Sequence, residues 1–208
     1  MPELGLFPLP IVLVPTERIP LHIFELRYRE LIHECVDTGG EFGLVLATGD
    51  GAVHEIGTRA GVVDVLEELE DGRMNIVVEG RARFRLLELT RGRSFQTGIV
   101  EAVHDEAEPA SPEDTARALE VFRELAEVAE SDVDMPEPDS PELVWELAAR
   151  VDFGIDPKQE ILASTSPARR MRRLVELLET SLEAVKLEKT LRERAGRNGK
   201  VSPLEGED

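Results

Sequence analysis

The chain has 208 residues, 41% apolar and 32% charged, which describes an ordinary globular protein of one large domain or two small ones and excludes a disordered one. Its formal charge of −19 argues against nucleic-acid binding, because neutralising phosphates needs a basic face. The single cysteine, Cys35, rules out an internal disulfide and fits a reducing cytoplasm.

The apolar opening from Leu4 to Val14 predicts a strand that Pro8, Pro10 and Pro15 confine to edges or bends. It has no basic n-region or cleavage-like site, so no signal peptide is expected. No run approaches the roughly 18 apolar residues of a membrane helix. Ile19 to Ile23 reads as a second short strand. Phe24, Tyr28, Leu31, Ile32, Cys35 and Val36 then recur at helical spacing, predicting a helix that Gly39-Gly40 stops. Phe24, Tyr28 and Cys35 fall on its apolar stripe, so they are expected in the core.

Phe42 to Ala47 predicts a buried strand. Val63, Val65 and Leu69 then run towards Asp71-Gly72, and Met74, Ile76 and Val78 run away from it. Asp-Gly suits a two-residue type I′ turn, with Glu70 opposite Arg73 and Leu69 opposite Met74. The return strand continues through Gly80, Ala82, Phe84 and Leu86, and its small residues predict a bend or a close backbone approach. Phe95 to Val103 offers one more strand.

After His104 the apolar period changes to 3.6. A helix is expected from Pro112 to about Glu130, with Ser111 as N-cap. Residues 131–139 form an acidic, Pro-rich linker expected not to pack. Ser140 then caps a helix bearing Leu143, Val144, Leu147, Ala148 and Val151. Asp156 caps a short helix over Pro157–Ala163. Ser166 caps the longest, with Met171, Leu174, Val175, Leu178, Leu182 and Val185 on one face. Residues 196–208 lack periodicity and are expected to be disordered. The chain thus divides into a β-rich part, 1–104, and a helical part, 105–195.

Charge follows this division unevenly: −7 over residues 1–104, −11 over 105–139 and −1 over 140–208. The acidic segment reads as a solvated helix and linker, or as a site for a basic partner. Arg169, Arg170, Arg172 and Arg173 crowd the first turns of the last helix, where the macrodipole disfavours cations. Acids of the 105–139 segment are the expected offset.

Three segments recur in a recognisable order: Pro20-Leu21-His22-Ile23-Phe24-Glu25 after an apolar strand, the Asp71-Gly72 hairpin, and Val78-Glu79-Gly80-Arg81-Ala82-Arg83-Phe84-Arg85. Together they resemble the amino-terminal substrate-binding domain of the ATP-dependent protease Lon. Lys158 to Ala163 and the Arg-rich helix after it agree more loosely, so the resemblance covers nearly the whole chain. It implies an α+β fold, a PUA-like β-barrel with one packed helix followed by a carboxy-terminal α-helical bundle. It also implies a non-enzymatic cytoplasmic module, like the small bacterial proteins that carry this domain without ATPase and peptidase domains. Such a module would bind unfolded polypeptide substrates or an adaptor protein. A regulator docking on a full-length protease and a hydrolase of unrecognised mechanism are the alternatives.

The residues themselves offer little chemistry. The Gly199-Lys200 pair has Arg194 where a P-loop needs glycine and Val201 where it needs Ser or Thr. A serine–lysine dyad cannot be placed, since Lys158, Lys186, Lys189 and Lys200 are the only lysines. His22, His33, His54, His104 and Cys35 form no metal-binding pattern, so neither metal nor cofactor is expected. The candidate partner-binding residues are His22, Arg27 and Glu30 around the first helix, with Arg81 and Arg83 on one face of the return strand. His22 reads equally as a residue closing the strand–helix junction. For Arg81, Arg83 and Arg85, internal pairing with nearby Glu is the favoured reading over a stripe that receives acidic groups from a partner.

Overall fold

The structure is a computed structural model that describes residues 3–49 and 51–198. Six strands come first: β1 (Glu3–Leu9), β2 (Arg18–Ile23), β3 (Glu41–Leu46), β4 (Ile56–Glu68), β5 (Met74–Thr90) and β6 (Thr97–Ala102). Helix α1 (Leu26–Thr38) interrupts them after β2. The chain continues as α2 (Pro112–Val128), α3 (Leu143–Arg150), α4 (Ile155–Ala163) and α5 (Pro167–Asn198). The fold is α+β, and among the described residues no helix is long and apolar enough to cross a membrane.

The strands form one sheet in the order β2-β5-β4-β3-β1-β6, and β6 returns to pair with β5. β5 makes this closure possible because it is long and changes partners along its length. Its first half lies between β2 and β4, and its second half, from Phe84, pairs with β6. Gly80 sits at the changeover. It bonds through both backbone groups to Thr16 and Glu17, and a β-carbon there would overlap the Val14 carbonyl. The close approach expected from the small residues is therefore the docking of the β1–β2 connection.

The hairpin between β4 and β5 differs from its expected form. Leu69 N–H donates to Arg73 C=O and Gly72 N–H to Leu69 C=O, so Leu69, not Glu70, faces Arg73. The loop holds three residues, with Gly72 at φ +81°. The reason is local: the Asp71 carboxylate accepts from the Arg73 backbone N–H at 3.1 Å and from its side chain at 2.8 Å, which favours the wider loop. The β4–β5 pairing also shifts register three times: an extra residue lies on β5 between Gly80 and Arg83, and on β4 after Val62 and after Val65.

Helix α1 packs Tyr28, Leu31, Ile32 and Cys35 on Phe7, Phe42 and the β5 residues Met74, Ile76 and Val78. Gly39, at φ +64°, ends it in the left-handed conformation. Phe24 corrects the expected stripe: it precedes the helix and is 60% exposed. Val36 is exposed too.

α2, α3 and α4 each pack on α5. Their apolar residues form one cluster with Val12, Val14, Leu46 and Ile56 from the strands, so the two parts of the chain share a core. Ser111 accepts from Asp114 N–H at 3.0 Å as the N-cap of α2. The segment after α2 departs from a free linker, since Pro136 is buried and Val133 packs on the shared core. α4 begins two residues earlier than expected, after Gly154 at φ +81°, so Asp156 lies inside its first turn rather than capping it. α5 continues through residues 196–198; residues 199–208 of the expected disordered tail lie outside the described residues.

The parts are joined by polar contacts inside this shared core. Arg83 is only 6% exposed and donates to Leu162 C=O at 2.9 Å and Ser164 C=O at 2.7 Å. It also pairs with Asp105, whose carboxylate takes two further bonds from Arg170, at 2.9 and 2.5 Å. Trp145 stacks beneath both guanidinium groups, 5.2 Å from Arg83 and 4.3 Å from Arg170. Beside them Lys158 pairs with the buried Glu17 at 2.5 Å, and Gln159 donates to Ile56 C=O at 3.0 Å. Two of the four arginines in the cluster therefore find the acids expected of them, Arg170 on Asp105 and Arg169 on Glu106 at 3.1 Å. Arg173 uses Glu160 and Glu176 instead.

Burial alone would raise the Asp105 carboxyl, but the Arg170 bond and the charges of Arg170 and Arg83 hold it below its usual value. A depressed carboxyl stabilises the fold above its unfolded value near 3.9 and loses that contribution as pH falls through the lower folded value. Asp105→Asn strands two buried guanidinium groups and is expected to cost about 3–5 kcal/mol. Chemical denaturation at neutral pH measures that loss, and the variant should show a shallower acid-unfolding limb than the parent below about pH 4. Gly80→Ala is expected to destabilise by at least about 1–3 kcal/mol, because the obstructing atom belongs to backbone.

Candidate functional site

An open hollow of about 550 Å³ lies where β2, β5 and β4 run side by side. Register puts three polar residues in one row across these strands, His22 opposite Asn75 and Asn75 opposite Glu67. The row is hydrogen-bonded throughout: His22 Nδ1 to Asn75 Oδ1 at 2.7 Å, and Asn75 Nδ2 to Glu67 Oε2 at 2.8 Å. Successive side chains of a strand alternate between faces, so this outward row lies beside the buried Ile23, Met74 and Ile76.

The apolar lining of the hollow comes from Pro20, Leu66 and the partly buried Leu21. Leu66 is there because of a bulge. Val65 faces Ile76 and Glu67 faces Asn75, which leaves Leu66 as the extra residue between them, 59% exposed. Phe24 stands beside the row, its ring stacked on His22 with centroids 5.9 Å apart and planes at 21°. Two large exposed apolar side chains thus flank a fixed polar row.

The other candidates are dispersed. Arg27 is exposed, lies over the Tyr28 ring at 4.5 Å and pairs with Glu25 at 2.8 Å. Glu30 accepts from the Ser94 hydroxyl and so ties α1 to the β5–β6 loop. Arg81 pairs with Glu41 at 2.9 Å and lines a different hollow, with Cys35 and Val62–Val65. Arg83 is buried in the junction with α4 and α5, so it is not part of an open basic stripe. Of the five residues, His22 alone lines the hollow.

Leu66, Asn75 and Glu67 carry no expectation from the sequence, and Phe24 is expected there in the core. Adjacent Val65 and Leu66 in an otherwise alternating strand were the available signal for a bulge. Nothing local marks Asn75, whose meaning comes from its neighbours on two other strands.

Nucleophilic chemistry at Cys35 is disfavoured: burial, with the charges of Glu34 and Glu41, pushes its thiol up to about 11. Among the described residues no group of three or more His, Cys, Asp and Glu is placed to hold a metal ion. The geometry offers hydrogen bonding and apolar contact on an open face.

Residues 3–180 match the family described as the ATP-dependent protease La (LON) substrate-binding domain. The chain is 27% identical to the Lon protease of Rhizobium meliloti (strain 1021) over 207 residues, covering 90% of this chain and 25% of that protein. It is 30% identical to the Lon protease of Anaeromyxobacter dehalogenans (strain 2CP-C) over 193 residues, covering 85% and 23%. It therefore spans about a quarter of the length of these curated relatives. Among solved structures, a Lon N-terminal domain protein from Xanthomonas campestris superposes with a TM-score of 0.68 at 27% identity, covering 85% of this chain and 98% of that one. The N-terminal domain of a Mycobacterium avium complex Lon protease, at 18% identity, shares the fold with a TM-score of 0.57 and coverage of 86% and 98%. With its strands, hairpin and helices in this order and the match running across most of its length, the chain belongs to the Lon substrate-binding domain family.

Proposed function

We propose that this chain is a non-enzymatic recognition module that binds unfolded polypeptide through the open face of β2, β5 and β4. One observation carries the reading: Phe24 and Leu66, large and mostly exposed, flank the hydrogen-bonded row of His22, Asn75 and Glu67 around an open hollow. An unfolded chain offers what a folded one hides, apolar side chains beside unpaired backbone groups, and such a face meets both. His22 is the central polar contact and Arg27 stands on the rim. Glu30, Arg81 and Arg83 serve the scaffold through Ser94, Glu41 and Asp105.

The closed pairing ring of β5, β4, β3, β1 and β6 supports reading the first part as a PUA-like barrel. The packing of α2, α3 and α4 on α5 supports reading the second as a helical bundle that braces it. The recognition face belongs to the first part, at the edge strand β2. The single, buried Cys35 is compatible with a cytoplasmic setting.

Fluorescence anisotropy with labelled, reduced and carboxymethylated lactalbumin tests the proposal. The unfolded form is expected to bind and native lactalbumin is not. Phe24→Ser with Leu66→Ser should weaken binding roughly tenfold or more while leaving the melting temperature within a few degrees, because both side chains are exposed. Equal binding of native and unfolded forms, or no effect of the double variant, would overturn it.

A further inference from the structure

Glu67 orients the Asn75 amide, and Asn75 in turn orients the His22 imidazole. An ionised carboxylate only accepts, so the amide group 2.8 Å from Glu67 Oε2 is the Nδ2 donor and the amide oxygen faces His22. That oxygen only accepts as well, so the His22 nitrogen 2.7 Å away, Nδ1, carries the proton. In the neutral ring Nε2 is then a bare acceptor. It hydrogen-bonds to none of the described residues, and the ring is exposed beside the hollow. Glu67 offers a second acceptor. Among the described residues its Oε1 takes no hydrogen bond and its charge has no ion-pair partner. Two free acceptors and an uncompensated negative charge, set against Phe24 and Leu66, call for a ligand with donors and positive charge around an apolar middle.

Resting on the polypeptide reading above, we propose that His22 and Glu67 are the specificity-determining residues of this face, and that it takes an extended, apolar segment with a flanking lysine or arginine. His22 Nε2 accepts a backbone N–H of that segment, its apolar side chains lie on Phe24 and Leu66, and its cationic side chain reaches Glu67. The dimensions agree. His22 and Glu67 stand two strands apart, about 10 Å, and about three extended residues span that distance. The row is preorganised, since each member is held by the next, so little side-chain freedom is lost on binding.

The test uses the full chain and two short fluorescein-labelled peptides of identical apolar core, one with a flanking lysine and one with norleucine in its place. His22→Phe keeps an aromatic ring against Phe24 and removes the Nε2 acceptor together with the Nδ1–H bond to Asn75. It is expected to weaken binding of both peptides by about five- to tenfold, the effect of one hydrogen bond. Glu67→Gln should weaken the lysine peptide and leave the norleucine peptide unchanged. Long-range proton–nitrogen NMR of the imidazole should show the Nδ1-protonated tautomer in the parent and lose that preference in Asn75→Leu. Unchanged binding by His22→Phe, or an Nε2-protonated ring in the parent, would overturn the assignment. If Phe24→Ser with Leu66→Ser abolishes binding and His22→Phe does not, the recognition face stands and this inference falls. If the parent binds neither peptide, both fall. A dimer in sedimentation that Leu66→Ser dissociates would show the face taken by a second copy, and would also overturn it.

Discussion

The buried cluster of Arg83, Asp105 and Arg170 is the constraint on which the arrangement depends. It joins β5, the segment after β6, and the α4–α5 connection at one point. Two guanidinium groups meet one carboxylate, which by charge alone leaves a buried excess. The last carbonyls of α4 absorb it: Leu162 accepts from Arg83, and Ser164 accepts from both arginines. Those carbonyls lie at the negative end of the α4 dipole, where cations are favoured. The Trp145 ring supplies a third negative surface against the two guanidinium planes. An arginine poorly suited to the start of α5 is thereby well placed at the end of α4.

The open face of β2, β5 and β4 is connected to this junction through β5. One end of that strand carries Asn75, the middle passes under the β1–β2 connection at Gly80, and Arg83 follows three residues later. A single continuous backbone thus runs from the exposed polar row to the buried cluster. The β4–β5 pairing shifts register along this path: one extra residue lies on β5 between Gly80 and Arg83, and the bulge on β4 leaves Leu66 exposed. β2 forms the outer edge of the face, and Pro20 in that strand cannot donate a backbone hydrogen bond, which blunts the edge against indiscriminate strand pairing.

Much of the fold was legible in the chain, for local reasons. Helix α1 showed in the spacing of Tyr28, Leu31, Ile32 and Cys35, and its end in Gly39. The cap of α2 showed in Ser111 before Pro112, and the close approach at Gly80 in its missing side chain. Errors arose where a choice depended on a neighbour or on a small energy difference. Asp71-Gly72 marked a hairpin, but the bonds from Arg73 to Asp71 selected the wider loop. Phe24 kept helical spacing with Tyr28, yet the helix begins two residues after it.

The sequence by itself determined the order of elements, the apolar faces and the family likeness, because these rest on periodicity, capping and turn chemistry that act within a few residues. Tertiary structure decided the fate of the polar side chains. Arg81 and Arg83 are indistinguishable by pattern, two positions apart on the same strand, yet one pairs at the surface and the other is buried under α4 and α5. The same holds for His22, Asn75 and Glu67, distant in the chain and adjacent only through strand register. A polar group's role depends on which donors, acceptors and charges reach it, and those arrive from elsewhere in the fold.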